Sequence, residues 1–136
     1  MWLHENKTFD PDYEAIDKKY YGFVYLIENL ENGKKYVGKK LFHHKKILPA
    51  NKTRKRRKRV LIESDWRNYY GSSESLHSDL ELYGKQAFRR TILHFCRSKG
   101  ECSYLEAKEQ FERKVLEDNS YYNSWISVKV HRKHLG

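Results

Sequence analysis

Between Tyr21 and Lys40 the chain reads Y-G-F-V-Y-L-I-E-N-L-E-N-G-K-K-Y-V-G-K-K, a stretch with the marks of a β-hairpin. Aromatic and β-branched residues run from Phe23 to Ile27. Asn32-Gly33 is the dipeptide whose tolerance of positive φ suits a type I′ turn, and Tyr36-Val37-Gly38 supplies the returning strand. A two-residue turn centred there predicts Asn29 opposite Tyr36 and Ile27 opposite Gly38. Side chains alternate with a period of two, so Tyr25, Ile27, Tyr36 and Gly38 then share one face of the sheet. A glycine beside two phenols predicts a shallow polar floor that a phosphate or another backbone can approach closely.

At 136 residues there is room for one domain with one modest core. Lys and Arg number 28 against 18 Asp and Glu, a formal charge of +10. Such a balance favours a polyanion as partner, because each cation set against a phosphate releases a counterion. The two cysteines, Cys96 and Cys102, are too few for a disulfide framework and read as reduced thiols. His43-His44 and the His131/His134 pair have no matching Cys or His pair, which argues against a structural zinc site. No apolar run approaches the roughly 18 residues of a membrane span, and the start of the chain lacks the apolar stretch of a signal peptide. The expectation is an intracellular, cytoplasmic protein.

Residues 1–20 read as a polar N-terminal arm with scattered aromatics, and D-P-D-Y-E-A-I-D predicts a short helix from about Pro11. Residues 21–130 read as the main domain, with a basic insertion over 45–60 and a basic tail at 131–136. Within the insertion, Arg54, Lys55, Arg56, Arg57, Lys58 and Arg59 form an unbroken run. Like charges repel, so the stretch from about Ala50 to Arg59 is expected to be a mobile loop that grips phosphates. From Val60 a helical pattern is expected, with Ser64-Asp65 capping a segment that ends at Gly71. A second helix opens at Ser72-Ser73-Glu74, repeats Leu76, Leu80 and Tyr83, and stops at Gly84. Phe88–Cys96 alternates as a third strand, with Ile92 and either Phe95 or Leu93 toward the core. A last helix, from about Cys102 to Leu116, carries Tyr104, Ala107, Phe111 and Val115 as its core-facing seam, with Glu106 and Gln110 on the opposite flank. Trp125–Val130 is expected to be a short terminal strand or extended segment.

G-F-V-Y followed by K-Y-V-G resembles the two half-motifs of the GIY-YIG nuclease family, and the distance from Tyr25 to Tyr36 fits that resemblance. It implies an α+β fold, a small three-stranded antiparallel sheet flanked by helices, with the active site on an exposed sheet face. It further implies a metal-dependent DNA endonuclease using one divalent ion, Mg²⁺. Tyr25 and Tyr36 match the motif tyrosines, either being the general base or its orienter, and Gly38 matches the motif glycine. Glu106, in Y-L-E-A-K, matches the metal-binding glutamate, with Glu109 as the alternative, and Asn123, in Y-Y-N, matches the terminal asparagine. Arg67 is the candidate for the phosphate-contacting arginine, with Lys40, His43 or a member of the 54–59 run as substitutes. Gly38, Lys39, Lys40 and the 54–59 run are the expected nucleic-acid contacts. The resemblance to compact phage-encoded and homing-endonuclease-like members points to a phage-infected or bacterial host cell. Specificity is then expected from the insertion or from a homodimer on DNA. The competing reading is a catalytically silent relative that binds DNA or RNA without cutting it.

Overall fold

The computed structural model describes residues 1–127; the expected tail at 131–136 and the far end of the Trp125–Val130 segment lie outside them. In chain order the strands are β1 (Trp2–His4), β2 (Lys7–Phe9), β3 (Gly22–Asn29), β4 (Lys35–Leu41), β5 (His43–Leu48), β6 (Lys58–Glu63) and β7 (Phe88–Cys96). The two α-helices are α1 (Glu74–Tyr83) and α2 (Lys99–Glu112). The architecture is α+β, and β3 is its axis: apolar side chains on both of its faces make it an interior strand, buried over nearly its whole length.

β3 pairs antiparallel with β4 and with β7, which gives the expected three-stranded unit. The sheet is larger than that, a mixed one of five strands in the order β2-β1-β7-β3-β4, with β1 parallel to β7. The N-terminal stretch, expected to be an arm, supplies the two extra strands. Glu5 and Asn6 both adopt positive φ, 51° and 66°, as a type I′ hairpin turn requires. Burial of Trp2, whose indole N–H donates to the Trp66 carbonyl at 2.7 Å, ties that hairpin to the sheet. The helix expected from Pro11 is a single 3₁₀ turn at Tyr13–Ala15.

In the β3–β4 hairpin Tyr25 faces Gly38 and Ile27 faces Tyr36, two residues away from the predicted register. The loop is longer than two residues because its asparagines organise it. The Asn29 side chain accepts from the Glu31 amide at 3.0 Å, and the Asn32 side chain accepts from the Lys34 amide at 2.9 Å. Gly33, at φ 74°, takes the left-handed position. A slip of two preserves parity, so Tyr25, Ile27, Tyr36 and Gly38 do share a face.

That face is not an open floor. Phe23, Tyr25 and Ile27 are covered by Trp2, Phe42, Trp66, Leu76 and Ile92, and the opposite face packs Val24, Leu26 and Val37 on Cys96, Cys102 and Val115. A bulge in β7 explains how both candidate core residues there find a place. Val24 pairs with His94 but Tyr25 pairs with Ile92, so Leu93 is the extra residue. Ile92 and Phe95 then both join the Tyr25 face, while Leu93 joins the other.

The basic insertion is in part the expected loop, since residues 49–57 lie in no strand or helix, but its flanks are strands, and the helix expected from Val60 is not formed. β5 and β6 make a separate two-stranded ribbon. Its tip is pinned at Asn51, whose side chain accepts from the Thr53 and Arg54 amides at 3.0 and 2.8 Å. Like charges do not prevent strand formation, because the pairs Lys45–Leu61, Lys46–Val60, Ile47–Arg59 and Leu48–Lys58 each set a cation across from an aliphatic residue. After β6 only Trp66–Asn68 is helical, as one 3₁₀ turn. α1 follows the expectation: the Ser73 side chain caps it and Gly84, at φ 85°, ends it.

Of the predicted α2 seam, Ala107 and, just beyond the helix, Val115 are buried, but Phe111 is not. Phe111 is 56% exposed, whereas Cys102, Ala107 and Gln110 are buried. The reason is that β4 is an edge strand whose outward backbone groups need partners, so α2 turns polar side chains toward it. Gln110 Nε2 donates to the Val37 carbonyl at 3.0 Å. Beyond α2, residues 120–123 run along the same edge, with Lys35 and Tyr121 bridged in parallel.

Candidate active site

The outer edge of β4 is where the predicted residues converge. A cavity of about 620 Å³ is lined by Tyr25 and Tyr36 of the hairpin, Lys39 of β4, Glu106 and Gln110 of α2, and Asn123 of the following segment, with Tyr69 and Ser72–Ser75 across from them. Tyr25 belongs to one sheet face and α2 covers the other, so the site straddles the edge of the sheet. It does not lie on an open face. Gly38 makes this geometry possible. A Cβ there would fall on the Tyr25 hydroxyl, 2.6 Å from Tyr25 Cζ and 2.9 Å from Tyr36 Cε2. The phenol therefore occupies the space a side chain would fill. The predicted bare glycine floor is instead a passage for the Tyr25 ring.

The two motif tyrosines differ in environment. Tyr25 is 1% exposed and lies with its ring centroid 6.2 Å from that of Tyr36 and 6.1 Å from that of Tyr69. Burial, followed by the neighbouring Tyr36, Tyr69 and Glu106, holds its pKa well above the ordinary phenol value. Tyr25 thus keeps its proton at neutral pH and acts as a hydrogen-bond donor. Tyr36 reaches the cavity mouth, where its hydroxyl lies 3.1 Å from Ser72 Oγ.

Burial also raises the pKa of Glu106, and the Lys39 ammonium and backbone amide pull it back. The Lys39 amine donates to Ser103 Oγ at 2.7 Å, which keeps it beside α2. Glu109 is engaged elsewhere, with His94 at 3.0 Å and Arg113 at 3.0 Å, and its pKa is lowered despite the opposing effect of burial. Of these two, Glu106 is therefore the carboxylate facing the cavity; Glu74, the first residue of α1, lines it from the other side. Asn123 braces the edge: its Oδ1 accepts from the Val37 amide at 3.0 Å and its Nδ2 donates to the Val37 carbonyl at 2.8 Å.

Arg67 is not brought to this cavity. Its guanidinium bonds Asp10 at 2.8 Å, Glu63 at 3.1 Å and the Pro11 carbonyl at 2.5 Å, and it stacks 4.4 Å from the Trp66 ring. Trp66–Asn68 forms a single 3₁₀ turn, and Arg67 on it bonds the N-terminal segment. Lys40 is the nearer cation, 4.1 Å over the Tyr69 ring and 2.6 Å from Asp65. His43, the other substitute, is buried beside Tyr21, with its pKa lowered mainly by desolvation. The run 54–59 lies on the ribbon and does not line the cavity.

Tyr69, Ser72 and Gln110, with Glu74 and Tyr122, are among the cavity residues that had gone unrecognised. The first two follow from Gly71, which looked like a helix stop but holds φ 82° and lies where a Cβ would sit 3.0 Å from Tyr36 and 3.3 Å from the Tyr25 hydroxyl. It lets the chain pass tightly over the tyrosines. Gln110 stands four residues after Glu106, one helical turn along the same face.

Among the described residues no three His, Cys, Asp or Glu side chains cluster as metal ligands. The cavity nonetheless offers oxygen donors: the Glu106 and Glu74 carboxylates, phenol and serine hydroxyls, and the Gln110 amide, whose Oε1 is buried without a hydrogen-bond partner. Such a set suits Mg²⁺, which keeps much of its water shell and is often held by one or two carboxylates and substrate phosphate.

A tyrosine hairpin with a partly buried carboxylate brought to its edge is what the GIY-YIG resemblance implies. A family model described as "Putative endonuclease segE, GIY-YIG domain" matches residues 2–126, and the chain belongs to the GIY-YIG endonuclease family. It is 30% identical over 103 residues to "Putative endonuclease segE" of Enterobacteria phage T4, a match covering 76% of this chain and 40% of that relative. The chain thus spans well under half of the relative's length. No solved structure matches. Family and relative together point to a nuclease.

Proposed function

We propose that this chain is a divalent-metal-dependent endonuclease that hydrolyses phosphodiester bonds in DNA. The observation carrying this reading is the convergence of Tyr25, Tyr36, Lys39 and Glu106 on one cavity. Glu106, with Gln110 beside it, would hold one Mg²⁺. Bound there, that ion would supply charge neutralisation at the phosphate and lower the pKa of the attacking water. Tyr36, the accessible phenol, orients that water or takes its proton. Tyr25 stays protonated and donates a hydrogen bond to oxygen charge as it develops. Lys39 contributes a positive charge to the phosphate, and Lys40 and the ribbon cations hold the strand. Asn123 keeps β4 straight between Tyr36 and Gly38, so its role is positioning. The phage relative supports action in the cytoplasm of a phage-infected or bacterial cell.

One observation favours the silent binding module instead: among the described residues, no arginine lines the cavity. Supercoiled plasmid with Mg²⁺, with and without chelator, separates the two readings. The enzyme reading expects chelator-sensitive nicking or linearisation by the native chain and none by Glu106→Ala. Two inert proteins that both retard DNA on a gel would establish the binding module.

A further inference from the structure

The positive charge of this protein is gathered in one place. Residues 45–59 hold nine Lys and Arg and no acid, while the other 121 residues carry 19 Lys and Arg against 18 Asp and Glu. Among the described residues none of those nine makes an ion pair. They lie on and between β5 and β6, which pair only with each other. A lone two-stranded ribbon is marginal in water, so its conformation must be supported from its root or by a partner. The root is firm. Phe42 is fully buried against Phe23 and Trp66, with centroids 4.9 and 5.2 Å away, and the Ser64 amide donates to the Phe42 carbonyl at 2.9 Å. Beyond it the ribbon carries exposed aliphatic side chains, Ile47 at 53% and Leu61 at 44%, interleaved with cations. By strand parity and pairing, Lys45, Ile47, Arg59 and Leu61 share one face.

Resting on the DNA-nuclease reading above, we propose that this ribbon enters the major groove of B-form DNA and there sets which duplex sites are held for cutting. Two strands about 4.8 Å apart, running about 20 Å, fit a groove about 12 Å wide that admits a two-stranded β-ribbon. Cations at the ribbon margins and tip meet the flanking phosphates, and an arginine such as Arg59 can fork onto guanine O6 and N7. The aliphatics have thymine methyls to contact. A loop that only grips phosphates gives no reason for exposed Ile47 and Leu61 between the charges. An A-form RNA duplex, whose major groove is deep and narrow, cannot admit the ribbon.

The test uses the full chain carrying Glu106→Gln, so that binding is read without cleavage. DNA duplex, single-stranded DNA and RNA duplex of one sequence are compared across a salt series, with dimethyl sulfate protection reporting guanine N7. Groove entry expects N7 protection and at least tenfold preference for the DNA duplex over the RNA duplex. It also expects Lys45→Ala with Arg59→Ala to weaken duplex binding tenfold or more, lower the salt slope by about one and remove the protection. Lys46→Ala with Lys58→Ala, on the other face, lowers the slope with less loss of protection; thermal melts establish that both pairs fold. Equal binding of both duplexes, unprotected N7, or pair variants that bind as the parent does would overturn the proposal. A native chain that fails to cut while these binding results hold removes the nuclease reading and leaves the groove reader standing.

Discussion

Replacing Gly38 with alanine adds one methyl group at the point where the site is assembled. The new Cβ would stand on the Tyr25 hydroxyl, 2.6 Å from Tyr25 Cζ and 2.9 Å from Tyr36 Cε2. Tyr25 cannot retreat, because its ring packs 5.3 Å from Trp2, 6.1 Å from Phe23 and 6.1 Å from Tyr69, measured between centroids. Gly38 does not have positive φ, so the effect is steric. Overpacking of this kind costs about 1–3 kcal/mol. At about 4 °C per kcal/mol for a domain of this size, Tm falls by about 4–12 °C. Displacing the Tyr25 hydroxyl by about 1 Å should also lower the cleavage rate about 10²-fold. Gly33→Ala is the matched control. Gly33 has φ 74° with nothing within 4 Å of a Cβ, so alanine there costs about 1–2 kcal/mol of backbone strain and leaves cleavage unchanged. The assay pairs a thermal melt with single-turnover cleavage of a labelled duplex. A Gly38→Ala protein that melts and cuts like the parent would refute the argument that the glycine is a passage for the phenol.

Glu106→Gln should raise Tm at pH 7 while abolishing cleavage. The folded-state pKa of Glu106 lies above its unfolded value, so the penalty of the buried charge is absent below about pH 4.3 and grows as pH rises through the folded pKa. Melts across that window should show the parent losing stability relative to the glutamine variant, and parallel curves would contradict it. Asn123→Ala leaves the Val37 amide without its partner, while the Val37 carbonyl keeps Gln110. The expected cost is about 1–3 kcal/mol, with faster hydrogen exchange at Val37; unchanged exchange would refute the bracing role. Arg67→Ala breaks partly exposed pairs to Asp10 and Glu63 and should cost about 1 kcal/mol without changing cleavage per folded molecule. A large loss of rate at unchanged affinity would return Arg67 to the active site.

Local pattern carried much of this structure. Asn32-Gly33 and the alternation around it announced the hairpin, and the error of two in register was harmless because faces depend on parity alone. Ser73 and Gly84 announced α1. Tertiary relations were what the chain did not display. The β1–β2 turn is Glu5-Asn6, a dipeptide without glycine, and β1 pairs with β7, a strand far away in sequence. The end of the charge run concealed the start of a strand at Lys58 and Arg59, because the aliphatic partners that relieve their repulsion, Leu48 and Ile47, lie on the other side of the loop. For the site, Tyr25, Tyr36, Glu106 and Asn123 were visible as residue types in order and do line one cavity. The orientation of α2 was read correctly at Ala107, Val115 and Glu106 but missed at Phe111, which looked like core, and at polar Gln110, which turns inward to serve an open strand edge. Arg67 was misplaced for a related reason: a single 3₁₀ turn stands where a helix was expected, and it aims the guanidinium at Asp10.

The most direct measurement is the single-turnover rate at which the native chain and Glu106→Gln cut one labelled DNA duplex in Mg²⁺, each normalised to the fraction of duplex bound. The account predicts strand breaks from the native chain, a rate at least 10³-fold lower from the glutamine variant, and equal occupancy of the duplex by both. Equal rates, or no breaks from either protein at full occupancy, would mean that the edge of β4 is not a catalytic centre.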